Sequence, residues 1–137
     1  MRIPALLATL LIAASAHVAA AYPEKPIKIV MGFPAGGPLD QHARLLTDKL
    51  QAVLGQPFIV DYKPGAGGSV GAESVARGPA DGYTIMLANT GVMVINGALY
   101  SKLPYNTLKD FVPIARTAQQ PLALLVNNNV PAKTLQE

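Results

Sequence analysis

Polar and apolar residues alternate over Ile27-Lys28-Ile29 and then give way to an apolar run through Val30-Met31-Gly32-Phe33, the pattern of a buried strand. Pro34-Ala35-Gly36-Gly37-Pro38 interrupts it. Pro38 suits the first turn of a helix, where its missing N–H leaves nothing unpaired. Leu39, Ala43, Leu46, Leu50, Val53 and Leu54 then recur on one helical face. Gly55 closes that helix and Gln56-Pro57 stops its continuation. Residues 58–62 read as a second strand and 63–68 as a glycine-rich loop. Ser69 reads as the N-cap of a second helix carrying Val70, Ala72, Val75 and Ala76. Gly78-Pro79 and Asp81-Gly82 separate it from a third strand at 83–88, which runs into Asn89-Thr90-Gly91.

Strand and helix alternating through short connections predict a parallel sheet with helices on both faces. A looser stretch follows at 96–110, then two strands at 112–118 and 122–126, broken by Gln119-Gln120-Pro121. Asn127-Asn128-Asn129 reads as a turn and Pro131-Ala132-Lys133-Thr134 as the start of another helix. If nothing covers the apolar flanks of 122–126, that segment is expected to be an aggregation liability.

The first residues have a different logic. Met1-Arg2 brings one positive charge, Ile3 to Ala14 is an apolar run of 12 residues, and small residues follow. A span of the bilayer needs about 20 apolar residues, so this is too short for an anchor. It reads as a secretory leader over 1–20, cleaved near Ala20. The mature chain is then expected in the periplasm, outside the cytoplasmic nucleotide pool.

Of 137 residues, 14% are charged and none is cysteine. That composition excludes a disulfide scaffold, a thiolate metal site and a cysteine nucleophile. Without Arg2, ten basic side chains face eight acidic ones, scattered along the chain, so no nucleic-acid partner is expected. His42 is the only histidine beyond the leader, so no histidine-based metal cluster can form and no metal or other cofactor is expected.

Candidate chemistry lies in the two glycine-rich loops. Each follows a strand and opens a helix, so both fall at the carboxyl edge of a parallel sheet, where a crevice forms when strand order reverses. Helix N-termini there present unpaired N–H groups and a partial positive charge, suited to a carboxylate or a phosphate. Tight turns alone also explain such glycines, and both readings stand at this level. Asp40, in the first turn of its helix, either complements the dipole or accepts hydrogen bonds that shape the loop. His42 reads as a solvated residue near the loop mouth.

Sharper motifs fail. Gly65-Ala66-Gly67 with Gly71 is one residue too long for the dinucleotide fingerprint, and no acidic residue lies near the end of the next strand to hold a ribose. No G-K-[ST] occurs. Gly67-Gly68-Ser69-Val70-Gly71 matches G-x-S-x-G, but no histidine follows it in the chain. A small exported hydrolase using Ser69 and a non-binding interaction module remain as alternatives.

At these residues the chain resembles the periplasmic substrate-binding receptors of tripartite tricarboxylate transporters, the Bug-type family. The stretches that carry the likeness are Tyr22-Pro23-Glu24-Lys25-Pro26, Phe33-Pro34-Ala35-Gly36-Gly37 with Asp40 and Ala43-Arg44, and Leu54-Gly55-Gln56-Pro57. Pro64-Gly65-Ala66-Gly67-Gly68, Asp81-Gly82-Tyr83-Thr84, Leu103-Pro104-Tyr105 and Val130-Pro131-Ala132-Lys133 extend it.

The resemblance implies an α/β fold, a periplasmic-binding-protein type II-like sheet lobe with helices on both faces, truncated at the start of the second lobe. Residues 21–118 would form the first lobe and 119–137 would open the second. It implies a non-enzymatic, monomeric receptor that closes on a small organic acid and hands it to the transporter's membrane subunits. It places Phe33, Ala35, Gly36, Gly37, Asp40, Gly67, Gly68, Ser69, Asn89 and Thr90 at the ligand cleft, with carboxylate oxygens held mostly by backbone groups and ordered water. Two departures stand out: Ser69 replaces the family's usual asparagine, and Pro38-Leu39 replaces a small residue and a threonine.

Overall fold

The structure is a computed structural model that describes residues 22–136 apart from Leu122 and Lys133. The expected leader over 1–20 and its expected cleavage near Ala20 lie outside the described residues. Three parallel strands, β1 (Ile27–Met31), β2 (Phe58–Tyr62) and β3 (Thr84–Met86), form a sheet in the order β2-β1-β3. Ile29 pairs with Val60 on one side and with Ile85 on the other. β1 is therefore the central strand, and that is why it is the most apolar: Ile27, Ile29, Val30 and Met31 are all buried.

Helix α1 (Pro38–Leu54) joins β1 to β2. Pro38 stands in its first turn, and Gly55, at φ 69°, closes it by donating its N–H to the Gln51 carbonyl. Helix α2 (Ser69–Ala76) joins β2 to β3. The two helices cover opposite faces. Ile29 and Met31 meet Ala43, Leu39 and Leu46 of α1, together with Ile85. The next residue of β3, Met86, turns to the other face and packs with Ala72 of α2, Val92 and Tyr105.

Several boundaries and elements differ from the pattern's prediction. β1 ends at Met31 rather than Phe33, and β3 keeps only three residues. The stretch expected to be loose, 96–110, opens with a short helix α3, Asn96–Leu99, entered from a π-helical turn at Gly91–Ile95 that the pattern did not predict. β-branched Val92, Val94 and Ile95 disguise that turn in the sequence. A local and a longer-range side-chain bond hold it: Asn89 Oδ1 accepts the Val92 N–H at 3.1 Å, and the Tyr105 hydroxyl donates to the Val92 carbonyl at 2.5 Å.

Among the described residues, 112–118 and 123–126 join no ladder. Val112, Ile114, Leu124 and Leu125 are all more than three-quarters exposed. A strand needs a hydrogen-bonded neighbour, and the sheet offers these segments none. The turn at Asn127 forms, with Val130 donating to the Asn127 carbonyl at 2.9 Å. The helix expected from Pro131 falls partly outside the described residues, and Leu135–Gln136 form only a turn.

Candidate functional site

Parallel pairing brings the ends of β1, β2 and β3 to one rim of the sheet. Strand order reverses at β1, since the chain steps from β1 to β2 on one side and returns past it to β3 on the other. In open parallel sheets such a reversal is the place, outside the carboxyl ends of the strands, where a ligand crevice forms. Three loops border it: Gly32–Gly37 after β1, Lys63–Gly68 after β2, and Leu87–Thr90 after β3.

The backbones of the first two meet at Gly68. A Cβ placed on Gly32 would lie 2.6 Å from Gly68 Cα, and one on Gly71 would lie 2.9 Å from Gly32 Cα. On its other side, a Cβ on Gly68 would lie 2.5 Å from Val92 Cγ2 and 3.3 Å from the Phe33 ring. Glycine at these places lets the first two loops approach to backbone contact, with the Val92 side chain from the turn after β3 closing on Gly68.

Each loop is held by one polar side chain. In the first, Asp40 is 3% exposed. Its Oδ2 accepts the Gly36 N–H at 2.9 Å and Arg44 Nε at 3.2 Å, while its Oδ1 accepts the Tyr62 hydroxyl at 2.5 Å. The Tyr62 hydroxyl and the Gly36 amide hold the Asp40 carboxyl below its ordinary value of 3.8, with Arg44 assisting and burial opposing. The same bond holds the Tyr62 phenol above its ordinary value of 10.0. Asp40 thus sets the loop, and its charge at the start of α1 already takes up part of the helix dipole.

A pH dependence follows from the Asp40 shift. Because the folded carboxyl titrates below the unfolded one, its stabilising effect is complete above the ordinary value and is lost as pH falls through the lowered one. Asp40→Asn should therefore flatten the acid limb of the stability profile below about pH 4. Thermal unfolding from pH 2 to 7 checks this; an unchanged acid limb in the variant would count against the role.

In the second loop, Asn96 is 5% exposed, and its Nδ2 donates to the Gly67 carbonyl and to Ser69 Oγ, both at 3.1 Å. The N-cap of α2 is Gly68, at φ 89°, not Ser69. Ser69 stands one residue inside, because the left-handed turn at Gly67 and Gly68 starts the helix without a side-chain cap. Among the described residues no histidine or carboxylate bonds the Ser69 hydroxyl. Its partner is an amide donor, which cannot take the proton a nucleophile must lose. In the third loop, Asn89 bonds the Val92 amide, as described above.

The ten residues expected at the cleft divide into two sets. Ala35, Gly36, Gly67, Asn89 and Thr90 are exposed, and Gly37 is half-buried. Asp40, Gly68 and Ser69 are buried, and Phe33 packs its ring in the cluster of Ala72, Val92 and Tyr105. Sequence reasoning missed Arg44, Tyr62 and Asn96, which complete the bracing. Arg44 at four residues from Asp40 was a readable signal; Tyr62 and Asn96 come from other elements and had none. His42 is half-buried, with Nε2 3.0 Å from Thr117 Oγ1.

Residues 42–137 match TctC, the Tripartite tricarboxylate transporter family receptor. The chain belongs to that family. Protein BugT of Bordetella pertussis is 38% identical over 115 residues, 83% of this chain and 35% of its own length. The periplasmic binding protein BugD superposes with a TM-score of 0.65 at 41% identity, over 68% of this chain and 31% of BugD. MatC from Rhodopseudomonas palustris, solved with bound malate, superposes with a TM-score of 0.65 at 38% identity, over 67% of this chain and 31% of MatC. This TctC-family chain therefore spans about a third of the length of the relatives it matches. The family is one of solute receptors, which favours binding over catalysis at the rim. These superpositions agree with the α/β parallel-sheet fold read from the alternation.

Proposed function

We propose that this chain supplies the first lobe of a periplasmic receptor that captures a small carboxylate for a tripartite tricarboxylate transporter. The observation that carries the reading is the backbone contact of the two glycine-rich loops at the strand-order reversal, in a chain of the TctC family. Residues 21–118 make up that lobe and 119–137 open the second. The leader at 1–20 exports the chain, the receptor works as a monomer, and its macromolecular partner is the transporter's membrane subunits. Malate in MatC favours an organic-acid ligand.

The ligand faces Ala35, Gly36, Gly37, Gly67, Asn89 and Thr90, with Phe33, Asp40, Gly68 and Ser69 shaping the loops behind them. No hydrogen bond among the described residues takes the N–H of Gly37 or Leu39, so these amides point to carboxylate oxygens, whereas the Gly36 amide is engaged by Asp40. Backbone donors of this kind hold an anion without a cationic side chain.

One side of a cleft makes part of a ligand's contacts, so malate should bind the full chain with a Kd of roughly 1 mM, about −4 kcal/mol. In an NMR titration the amide resonances of Gly37, Gly67 and Asn89 should move together, while those of α1's last turn stay still. Resonances unmoved at 10 mM malate, about ten times that Kd, would overturn the reading.

A further inference from the structure

We propose that Tyr62 is a positioning residue for the first glycine loop. Its hydroxyl locks the Asp40 carboxylate in the orientation that captures the Gly36 amide, and so presets the loop before any ligand arrives. The step from Tyr62 to Gly36 stands on geometry alone. The step from loop to ligand rests on the receptor reading given above.

A carboxylate turns about its terminal torsion, which is broad and roughly two-fold. To keep one oxygen aimed at a single amide, the other oxygen needs a fixed partner. At Asp40 that partner is Tyr62, from the end of β2, at 2.5 Å from Oδ1. The tyrosine is itself directed, because Arg44 donates an NH2 proton to its hydroxyl oxygen at 3.0 Å, so the phenol proton points at Asp40. Oδ2 is then left to accept Gly36 N–H and Arg44 Nε.

The amide being held belongs to a residue that needs holding. Gly36 has φ +87°, and nothing lies within 4 Å of where its Cβ would be. Packing does not shape the loop at that point; the hydrogen bond to Asp40 does. The charged and titratable groups facing Asp40 are Arg44 from its own helix and Tyr62 from β2. Lys28 and Lys63 pair with Asp61 instead, and His42 bonds Thr117. Tyr62 is thus the side chain through which β2 governs the loop that follows β1.

Tyr62→Phe in the full chain removes only the hydroxyl. By NMR, the Asp40 carboxyl should titrate at higher pH than in the native chain, and Gly36 N–H exchange should quicken by about tenfold, the loss of one hydrogen bond to a charged group. Gly36 protection should also fail with the displaced Asp40 titration, a coupling that a general loosening does not produce. Amides of Ile29 and Val60 should keep their exchange rates.

If Gly36 exchange and the Asp40 midpoint stay at native values, the proposal is wrong. Should the variant not fold, the native chain decides: the Tyr62 ring carbons must shift with the Asp40 midpoint, and their silence overturns the proposal. A malate titration separates the two levels. Native Gly36 behaviour with bound malate would sink only the positioning role. Displaced Gly36 behaviour without malate binding in either protein would support that role and sink the receptor reading.

Discussion

Gly32→Ala should destabilise the chain by at least about 3 kcal/mol, the upper end of overpacking penalties. The new methyl carbon would stand 2.6 Å from Gly68 Cα and 2.7 Å from Gly68 O. Both are backbone atoms, so no rotamer change can make room. The clash must instead push apart the loop after β1 and the turn that opens α2. Gly71 blocks retreat along the helix, since it already approaches Gly32 Cα closely enough that its own Cβ would be 2.9 Å away. With a urea m-value of about 1.5 kcal/mol/M, the unfolding midpoint should fall by roughly 2 M.

Gly36→Ala offers the contrast. It meets no atom within 4 Å but must hold φ +87°. Its cost should be only the left-handed backbone penalty of about 1–2 kcal/mol. Urea unfolding of both variants checks the ranking. If Gly32→Ala proves the milder, the backbone contact between the loops is not what joins them.

The same contact shows what a linear reading can and cannot see. Alternation and punctuation were enough to place β1, α1, β2 and α2, because each obeys local rules: a period, a proline at a helix start, a glycine at φ 69° after its end. Two glycine-rich loops after parallel strands also fixed their shared rim by topology alone. The bracing was hidden, since Asp40 and Tyr62 are 22 residues apart, and Asn96 reaches Gly67 across 29. No periodicity records a pairing of that kind.

Ser69 illustrates the opposite error. It is a good cap by residue type, yet two left-handed glycines before it take over that place, and its hydroxyl turns to Asn96. Segments 112–118 and 123–126 have strand-like composition, but a strand is defined by its neighbour, and composition cannot supply one.

Gly68→Ala should cost about 3 kcal/mol as well, but for a reason that a second substitution can partly remove. Its Cβ would lie 2.5 Å from Val92 Cγ2, a side-chain atom, and the residue must also keep φ +89°. Val92 is fully buried, so Val92→Ala alone should cost roughly 1–3 kcal/mol through lost apolar burial. In the double variant the clash disappears and the two methyls share the space, leaving the backbone penalty of about 1–2 kcal/mol and the Phe33 contact at 3.3 Å. The cycle should therefore show the double variant more stable than the sum of the single changes predicts, by about 1–2 kcal/mol.

Gly32→Ala combined with Val92→Ala should show no such relief, since Gly32 meets Gly68 backbone and not the valine. Additive behaviour in the first pair would mean that the π-helical turn after β3 does not press on the second loop. The turn after β3 would then have no packing contact with the two glycine loops at Gly68.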